Sequence, residues 1–432
     1  MANAGSPTRL GVLVGGGPAP GINGVISSAT IQAANEGMEV IGFHDGFHWL
    51  AQGDATHYQP LTIAEVKRIH ARGGSILGTS RANPTKSERE MENVLGVLRR
   101  LGVTALVTIG GDDTAYSASQ VCKRAGGAVR VAHVPKTIDN DLPLPGYAPT
   151  FGFETARHVG VGIVRNLAED ARTTSRWYLV TSMGRAAGFL ALGIGKAAAA
   201  TLTIIPEEFR GRSVTLDEIC DILIGAIVKR RSQGSRFGLA VIAEGLIELL
   251  GEKGLMDTLG PAQLSRYGQL KRDPHGHLRL GDIEFGRMLR DRLSARLEEL
   301  GLQVALIDKE VGYELRSADP VPFDIEYTRD LGYGAVKFLR SEAAASLGGA
   351  VICFVEGRLQ PLPFEDLINP ATGRMRPRKV DVDGEAYECA RRYMIRLERR
   401  DFEDPERLAP IAAAAGLSPE RFRERFGYLV GL

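Results

Sequence analysis

The chain has 432 residues, enough for two or three domains with separate cores. Its 53 basic and 52 acidic side chains leave a formal net charge of +1, which argues against nucleic-acid binding or an anionic membrane surface as its main task. No apolar run reaches the roughly 20 residues of a membrane span, and residues 1–8 lack the plan of a signal peptide. The four cysteines lie far apart without metal-ligand spacing. We therefore expect a cytoplasmic protein with reduced thiols.

Strand-like apolar runs alternate with helical segments along most of the chain. Such alternation predicts an α/β fold, with parallel strands covered by helices on both faces. The predicted strands are 9–14, 40–43, 104–109, 129–134, 177–182, 238–243 and 350–355. The predicted helices are 22–35, 65–72, 86–101, 114–125, 154–171 and 216–231.

Two later regions depart from this alternation. Residues 246–300 are charged and irregular, apart from a helical stretch at 287–300, and we interpret the region as an insertion. The tail at 405–428 has the pattern of short helices.

Two glycine turns follow predicted strands. Residues 15–23 read GGGPAPGIN, and residues 110–113 read GGDD. Open parallel sheets bind ligands beyond the carboxyl ends of their strands, and glycine lets backbone N–H groups approach a phosphate. Neither turn has the Walker A or G-x-G-x-x-G spacing. Each turn alone is equally typical of an ordinary strand-to-helix connection, but two of them together favour phosphate binding.

The segment PKTIDND at 135–141 is the most informative part of the chain. In an extended loop, alternate side chains share a face, so Thr137, Asp139 and Asp141 can converge. A hydroxyl and two carboxylates suit Mg²⁺ coordination and deprotonation of an alcohol. The alternative is an Asx-type turn leading into Pro143.

Taken in order, six motifs resemble the phosphofructokinase family. They are GGGPAPGIN (15–23), GGDDT (110–114), PKTIDND (135–141), SMGR (182–185), AEG (243–245) and GYELRSADPVPFD (312–324). The resemblance covers about residues 9–340. It implies two Rossmann-like parallel-sheet domains with the active site in the cleft between them, Mg²⁺ as cofactor, and dimers or tetramers whose active sites borrow residues from a neighbouring subunit.

The resemblance also implies domain boundaries. Residues 1–150 with about 316–390 would bind the phosphoryl donor, and 151–315 would bind fructose 6-phosphate. The insertion at about 246–300 belongs to the second domain, and 391–432 would form a C-terminal helical extension.

Site residues follow from the resemblance one position at a time. Asp139 would take the proton of the fructose 6-phosphate 1-hydroxyl, with Thr137 and Asp141 beside it, and Asp112 would hold the metal. Donor contacts are expected from Gly16 and Arg81. Sugar and 6-phosphate contacts are expected from Met183, Gly184, Arg185, Glu244, Tyr313 and Arg316, with Arg176 supplied by the adjacent subunit.

Asp113 and Lys136 bear on the choice of phosphoryl donor. Family members that use ATP carry Gly where Asp113 stands, and the compact ones carry Gly where Lys136 stands. A carboxylate about 4 Å from the α-phosphate of ATP would be repelled by roughly 4 kcal/mol at an effective dielectric of about 20, a factor of about a thousand in binding. Lys136 would neutralise the transferring group. These residues favour pyrophosphate, although Asp113 could simply be a helix N-cap.

Other positions depart from the family pattern. Pro18 stands where many members carry Asp, and Tyr313 where the compact ATP enzymes carry His. Three rival functions are an ATP-dependent phosphofructokinase, a non-catalytic sugar-phosphate-binding regulatory subunit and a nicotinamide dehydrogenase. The intact Asp112, Asp139 and Asp141 disfavour the regulatory subunit, and the missing G-x-G-x-x-G disfavours the dehydrogenase.

Overall fold

A computed structural model describes residues 8–268, 271, 282–369, 374–375 and 377–432. The described chain divides into two compact units. Unit 1 lies within Met1–Val159 and Tyr313–Arg378, and unit 2 lies within Gly160–Gly312 and Lys379–Leu432. Among the described residues, no helix has both the length and the apolar character needed to cross a membrane.

Unit 1 is built on a seven-stranded sheet. Its strands are β1 (Arg9–Val14), β2 (Glu39–Phe43), β3 (Tyr58–Pro60), β4 (Ala105–Gly110), β5 (Arg130–Pro135), β10 (Gly349–Val355) and β11 (Arg358–Leu362). The spatial order is β11-β10-β5-β4-β1-β2-β3. The five central strands are parallel, and both edge strands pair antiparallel. The parallel arrangement brings the loops after β1, β4 and β5 to the same edge of the sheet.

Helices cover both faces of this sheet, so alternate side chains of β1 enter two different apolar cores. Leu10, Val12 and Val14 join one apolar cluster and Leu13 joins the other. The helices before the first unit boundary are α1 (Ile22–Asn35), α2 (His48–Ala51), α3 (Ile63–Val66), α4 (Glu88–Arg100) and α5 (Asp112–Ala125). Those of the returning segment are α11 (Tyr313–Arg316), α12 (Pro322–Leu339), α13 (Glu342–Leu347) and α14 (Phe364–Leu367), with the short strand pair β12 (Ile368–Asn369) and β13 (Arg374–Met375).

Unit 2 contains a four-stranded parallel sheet in the order β7-β8-β6-β9. The strands are β6 (Trp177–Ser182), β7 (Leu202–Ile204), β8 (Gly238–Ala243) and β9 (Leu306–Val311). The helices are α7 (Phe189–Ala197), α8 (Leu216–Ser232), α9 (Leu246–Leu264) and α10 (Phe285–Glu299), and α6 (Phe153–Thr174) begins in unit 1 and continues into unit 2.

The C-terminal segment is part of the core of unit 2. It forms α15 (Glu385–Tyr393), α16 (Arg399–Glu403), α17 (Pro405–Ala414) and α18 (Pro419–Phe426). Phe402, Phe422 and Phe426 are fully buried in the same cluster as the side chains of α8. Ile395 N donates to Thr201 O over 2.8 Å. The predicted extension at 391–432 therefore packs as an integral part of unit 2, and the contacts place the unit boundaries after Val159 and Arg378 instead of near 150 and 390.

Most predicted elements are confirmed to within two or three residues at their ends, but some predictions were wrong. The predicted helix at 65–72 is only the short α3, and β7, β9 and α12 were not predicted. In the predicted insertion, α10 confirms the helix at 287–300, and α9 is interrupted by non-helical backbone at Gly251 and Gly260. Residues 269–270 and 272–281 lie outside the described residues. The four cysteines are free, as expected.

Candidate active site

The glycine turn after β1 is tied to two neighbouring segments of unit 1. Gly15 N donates to Ile109 O and Gly16 N donates to Ser80 O, each over 2.8 Å. Gly16 has φ +83°, a conformation that glycine adopts without strain. The Gly16 N–H is therefore already paired with Ser80 O, so a donor contact at Gly16 stays a prediction for its other backbone atoms. The exposed side chain of Arg81 follows directly, so this arginine is held beside the turn by the same backbone pairing.

The second glycine turn leads into α5. Gly111 is the N-cap residue, and no side chain caps the helix. Asp112 is half-buried, whereas Asp113, the second residue of the helix, is exposed. The alternative role of Asp113 as a helix N-cap is therefore wrong. Its carboxylate instead lies at the amino end of α5, where the helix dipole favours negative charge.

Lys136 links the loop after β5 to both glycine turns. Its backbone N–H donates to Gly110 O over 2.8 Å, and its buried side chain donates from Nζ to Gly17 O. Because the Lys136 side chain is buried, its ammonium group is held beside the first turn. The loops after β1, β4 and β5 thus form one connected loop cluster.

Arg316 brings a second cation to the same turn. A Cβ atom built on Gly17 would lie 2.8 Å from Arg316 Nη1, so this guanidinium packs directly against the turn. Tyr313, three residues earlier on α11, is 79% exposed. Of the predicted 6-phosphate pair, Arg316 thus lies against the glycine turn, and Tyr313 is exposed on the same short helix.

A hydroxyl organises the acidic loop that follows Lys136. Thr137 Oγ1 accepts from Asp139 N over 3.0 Å, and Thr137 O accepts from Thr150 Oγ1 over 2.9 Å. Asn140 has φ +55°, and its Oδ1 accepts from Thr150 N over 3.1 Å. The turn is thus built by Thr137 and Asn140, on either side of Asp139. Asp139 is only 3% exposed, so it is shielded from bulk water.

Arg378 holds this acidic loop in place, although no sequence motif pointed to it. Its Nε donates to Asn140 O over 3.1 Å, its Nη1 donates to Ala148 O over 3.2 Å, and its Nη2 donates to Asn140 Oδ1. Its backbone N–H also donates to Asp141 O over 2.6 Å. The fork of the guanidinium therefore grips the residue next to Asp139 on two sides.

In unit 2, a separate loop follows β6. Glu244 Oε1 accepts from Gly184 N over 3.0 Å and from Arg185 N over 2.8 Å. Glu244 follows β8, the neighbour of β6 in the sheet, so the two strand ends are held together. The structure brings Glu244 together with Gly184 and Arg185, next to Met183, and gives Glu244 a structural role that the sequence did not indicate.

Arg176 lies at the other end of the same strand. It precedes β6, whereas Met183 follows it. A six-residue strand spans about 20 Å at roughly 3.3 Å per residue, which exceeds the reach of an arginine side chain. Arg176 therefore cannot contact the Met183–Arg185 loop of its own chain.

A magnesium ion fits the unit 1 loops only with help from a ligand. Among the residues described, no group of three or more His, Cys, Asp or Glu side chains could hold a metal ion. Mg²⁺ usually takes one or two carboxylates and completes its octahedron with phosphate oxygens and water. The half-buried Asp112 beside the glycine turns meets that requirement.

The family model of the phosphofructokinases, described as "Phosphofructokinase", matches residues 9–339. The chain belongs to the phosphofructokinase family. Two relatives of this phosphofructokinase cover nearly all of it, and both are named pyrophosphate–fructose 6-phosphate 1-phosphotransferase. The protein from Thermotoga maritima is 54% identical over 98% of this chain and 99% of its own length. The protein from Naegleria fowleri is 49% identical over 98% and 95%.

Among more distant relatives of this phosphofructokinase, some are named for pyrophosphate and others for ATP. ATP-dependent 6-phosphofructokinase 3 of Streptomyces coelicolor is 34% identical over 76% of this chain and 86% of its own. The solved pyrophosphate-dependent phosphofructokinase of Nitrosospira multiformis superposes with a TM-score of 0.65 over 89% of this chain and 90% of that one. At 17% identity, that likeness confirms the fold alone.

Proposed function

We propose that this phosphofructokinase transfers a phosphoryl group from pyrophosphate to the 1-hydroxyl of fructose 6-phosphate, giving fructose 1,6-bisphosphate and phosphate in a reversible reaction. The observation that carries the donor choice is the Asp113 carboxylate, exposed at the amino end of α5 and directly after the second glycine turn. The names of the two relatives at 54% and 49% identity support the same donor.

Unit 1 would hold the donor and the base. Asp139 accepts the proton of the 1-hydroxyl as the oxygen attacks phosphorus, and its burial keeps competing water away. Lys136 and Arg316, which both lie at Gly17, stabilise the charge on the transferring group. Two cations at one turn suit a donor with no adenosine, since most of its binding must come from its phosphates.

Asp112 would hold Mg²⁺, which when bound neutralises phosphate charge and orients the donor. Arg81, held beside the first glycine turn, would bind the donor as well. Thr137 and Asp141 would position the sugar hydroxyl next to Asp139.

Unit 2 would bind the sugar phosphate. The Met183–Arg185 loop, whose backbone N–H groups at Gly184 and Arg185 are fixed by Glu244, would present the Arg185 side chain as a donor to sugar hydroxyls. Tyr313 would contact the 6-phosphate when substrate is bound. Because Arg176 cannot reach the Met183–Arg185 loop of its own chain, we assign it to the active site of a second copy in a homo-oligomer.

Parallel rate measurements with pyrophosphate and with ATP test this function, using fructose 6-phosphate and Mg²⁺. We expect kcat/KM to be far higher with pyrophosphate. Equal or better use of ATP would establish the ATP-dependent alternative, which relatives at 34–35% identity keep open. Inactivity of folded protein with both donors would favour a non-catalytic regulatory subunit.

A further inference from the structure

A cavity of about 270 Å³ lies in unit 2, away from all the loops discussed above. Its walls come from three parts of the unit: the turn at 206–212, the amino-terminal half of α8, and the C-terminal segment around α15. Phe209, Leu397 and Leu429 supply apolar lining. Charged side chains make up much of the rest.

Two of the cavity's three arginines are already neutralised. Arg396, whose side chain is 8% exposed, forms a bidentate pair with Glu208, with N–O distances of 2.5 and 3.1 Å. Arg212 forms a second bidentate pair with Glu218 at 2.6 and 2.9 Å. Glu208 Oε1 also accepts from Ile205 N over 3.0 Å, so its carboxylate has little capacity left. Both carboxylates that line the cavity are therefore committed.

Arg391 is the third arginine, and it has no such partner. Its guanidinium makes no ion pair or hydrogen bond with any residue that the structure describes, and its Nη1 is buried without an acceptor. Burial lowers its pKa and the nearby charge of Arg396 lowers it further, whereas the charges of Glu208 and Glu398 act in the opposite direction. Arg391 as a whole is half-buried, and a bound oxyanion could pair with its guanidinium in bidentate fashion.

We propose that this cavity binds a small organic oxyanion, a carboxylate or phosphate ester, with Arg391 as its main anchor. The surplus positive charge selects an anion. The volume limits its size, and the apolar lining from Phe209 and Leu397 accommodates a short carbon body. Because Arg391 belongs to the C-terminal segment and the opposite walls to the turn at 206–212 and α8, an occupied cavity would fasten this segment to the rest of unit 2.

Sulfate is the probe for the test, since it supplies the oxyanion without taking part in phosphoryl transfer. Sulfate is titrated into the full-length protein by calorimetry, and Tm is followed as its concentration rises. We expect Arg391→Gln to weaken one class of sites by roughly tenfold or more and to lose the associated rise in Tm. The affinity for sulfate at the unit 1 loops should stay unchanged in this variant, so the two classes of sites can be distinguished.

The matched control is Arg392→Gln. Arg392 is the next residue of α15, is 74% exposed at its side chain and pairs with Glu388 instead of lining the cavity. It should bind sulfate like the wild type. Equal weakening in both variants, or none in either, would overturn the proposal. If Arg391→Gln does not fold, Arg391→Lys keeps the charge but loses the fork, and intermediate affinity is expected.

Selenate then locates the ion, because its anomalous scattering identifies it in crystals of the wild-type protein. A peak beside Arg391 supports the proposal, and peaks confined to the unit 1 loops contradict it. Turnover of both variants with fructose 6-phosphate and each donor is measured separately. A failure of the proposed enzyme activity would therefore not be mistaken for a failure of this site.

Discussion

At the scale of single residues, the side chain of Asp113 is expected to set donor preference through charge. Because Asp113 is exposed, water screens the repulsion between its carboxylate and the α-phosphate of ATP. The repulsion is then close to its value in water, about 1 kcal/mol at 4 Å, and smaller than the sequence alone suggested. We therefore predict that Asp113→Gly raises kcat/KM for ATP by about tenfold. Steady-state kinetics with both donors measures the change.

Asp113→Asn separates charge from volume, because it keeps the size of the side chain. If repulsion is the cause, Asn should improve ATP use nearly as well as Gly. Improvement with Gly alone would assign the effect to space. An unchanged preference in both variants would contradict any role of Asp113 in donor choice.

Arg378 is a positioning residue in the proposed reaction, since its guanidinium holds Asn140 next to the base Asp139. We predict that Arg378→Ala lowers kcat by roughly a hundredfold while KM for pyrophosphate changes little, because the base is displaced but donor contacts remain. Added guanidinium at millimolar concentration should restore part of the rate. Arg358→Ala, at an exposed position on β11, is the matched control and should behave like the wild type. A loss of stability without rescue would show that Arg378 only supports the fold.

At the scale of secondary structure, one buried carboxylate joins two helices of the chain. Asp324, in the first turn of α12, accepts from Gly152 N, Thr155 N and Thr155 Oγ1 over 2.6–2.8 Å at the start of α6. We predict that Asp324→Ala destabilises the protein by about 2–4 kcal/mol, because buried N–H groups lose their acceptor. Asp330→Ala, at an exposed position on the same helix, should cost little. Urea unfolding compares the two, and equal losses would refute the capping role.

A buried pair across β4 and β5 predicts how stability depends on pH. Thr108 Oγ1 lies 2.9 Å from His133 Nδ1, and burial lowers the pKa of His133 from 6.5 to about 3. Below pH 6.5, His133 is protonated in the unfolded chain but stays neutral in the folded chain. The free energy of unfolding therefore falls as pH drops toward 3. The slope approaches about 1.4 kcal/mol per pH unit. Unfolding at a series of pH values should show a weaker dependence for His133→Gln, and parallel curves would contradict this assignment.

The elements that sequence could predict are those with a local signal. β4 and β6 are mostly apolar runs with both faces buried, and their predicted positions were right to within a residue. β9 has the sequence LIDKEV and lies at the edge of its sheet with exposed charges, so its pattern is that of a loop. The clamp by Arg378 joins residues 238 positions apart, and no local pattern reports such a contact. The motifs therefore identified the loops that carry the chemistry, whereas the residues that hold them required coordinates.

At the scale of the whole molecule, the position of Arg176 makes a prediction about assembly. Arg176 and the Met183–Arg185 loop lie at opposite ends of β6, so a catalytic role for Arg176 requires a second copy of the chain. Arg176→Ala and Asp139→Asn should each be inactive as pure proteins. Co-expressed in equal amounts, they should form hybrids in which one site has both an intact base and an intact arginine.

For a dimer assembled at random, half of the dimers are hybrids with one working site of two, so the mixture should recover about a quarter of wild-type activity and the purified hybrid about half. The hybrid is separated by two different affinity tags and assayed with pyrophosphate and fructose 6-phosphate. A mixture of Asp139→Asn and Lys136→Ala is the control. Both residues belong to the same loop of one chain, so every site in the hybrid lacks either the intact Asp139 or the intact Lys136. Recovery in the first mixture and none in the second would establish that Arg176 acts across subunits. Equal inactivity of both mixtures would contradict the assignment of Arg176 to the active site of a second copy.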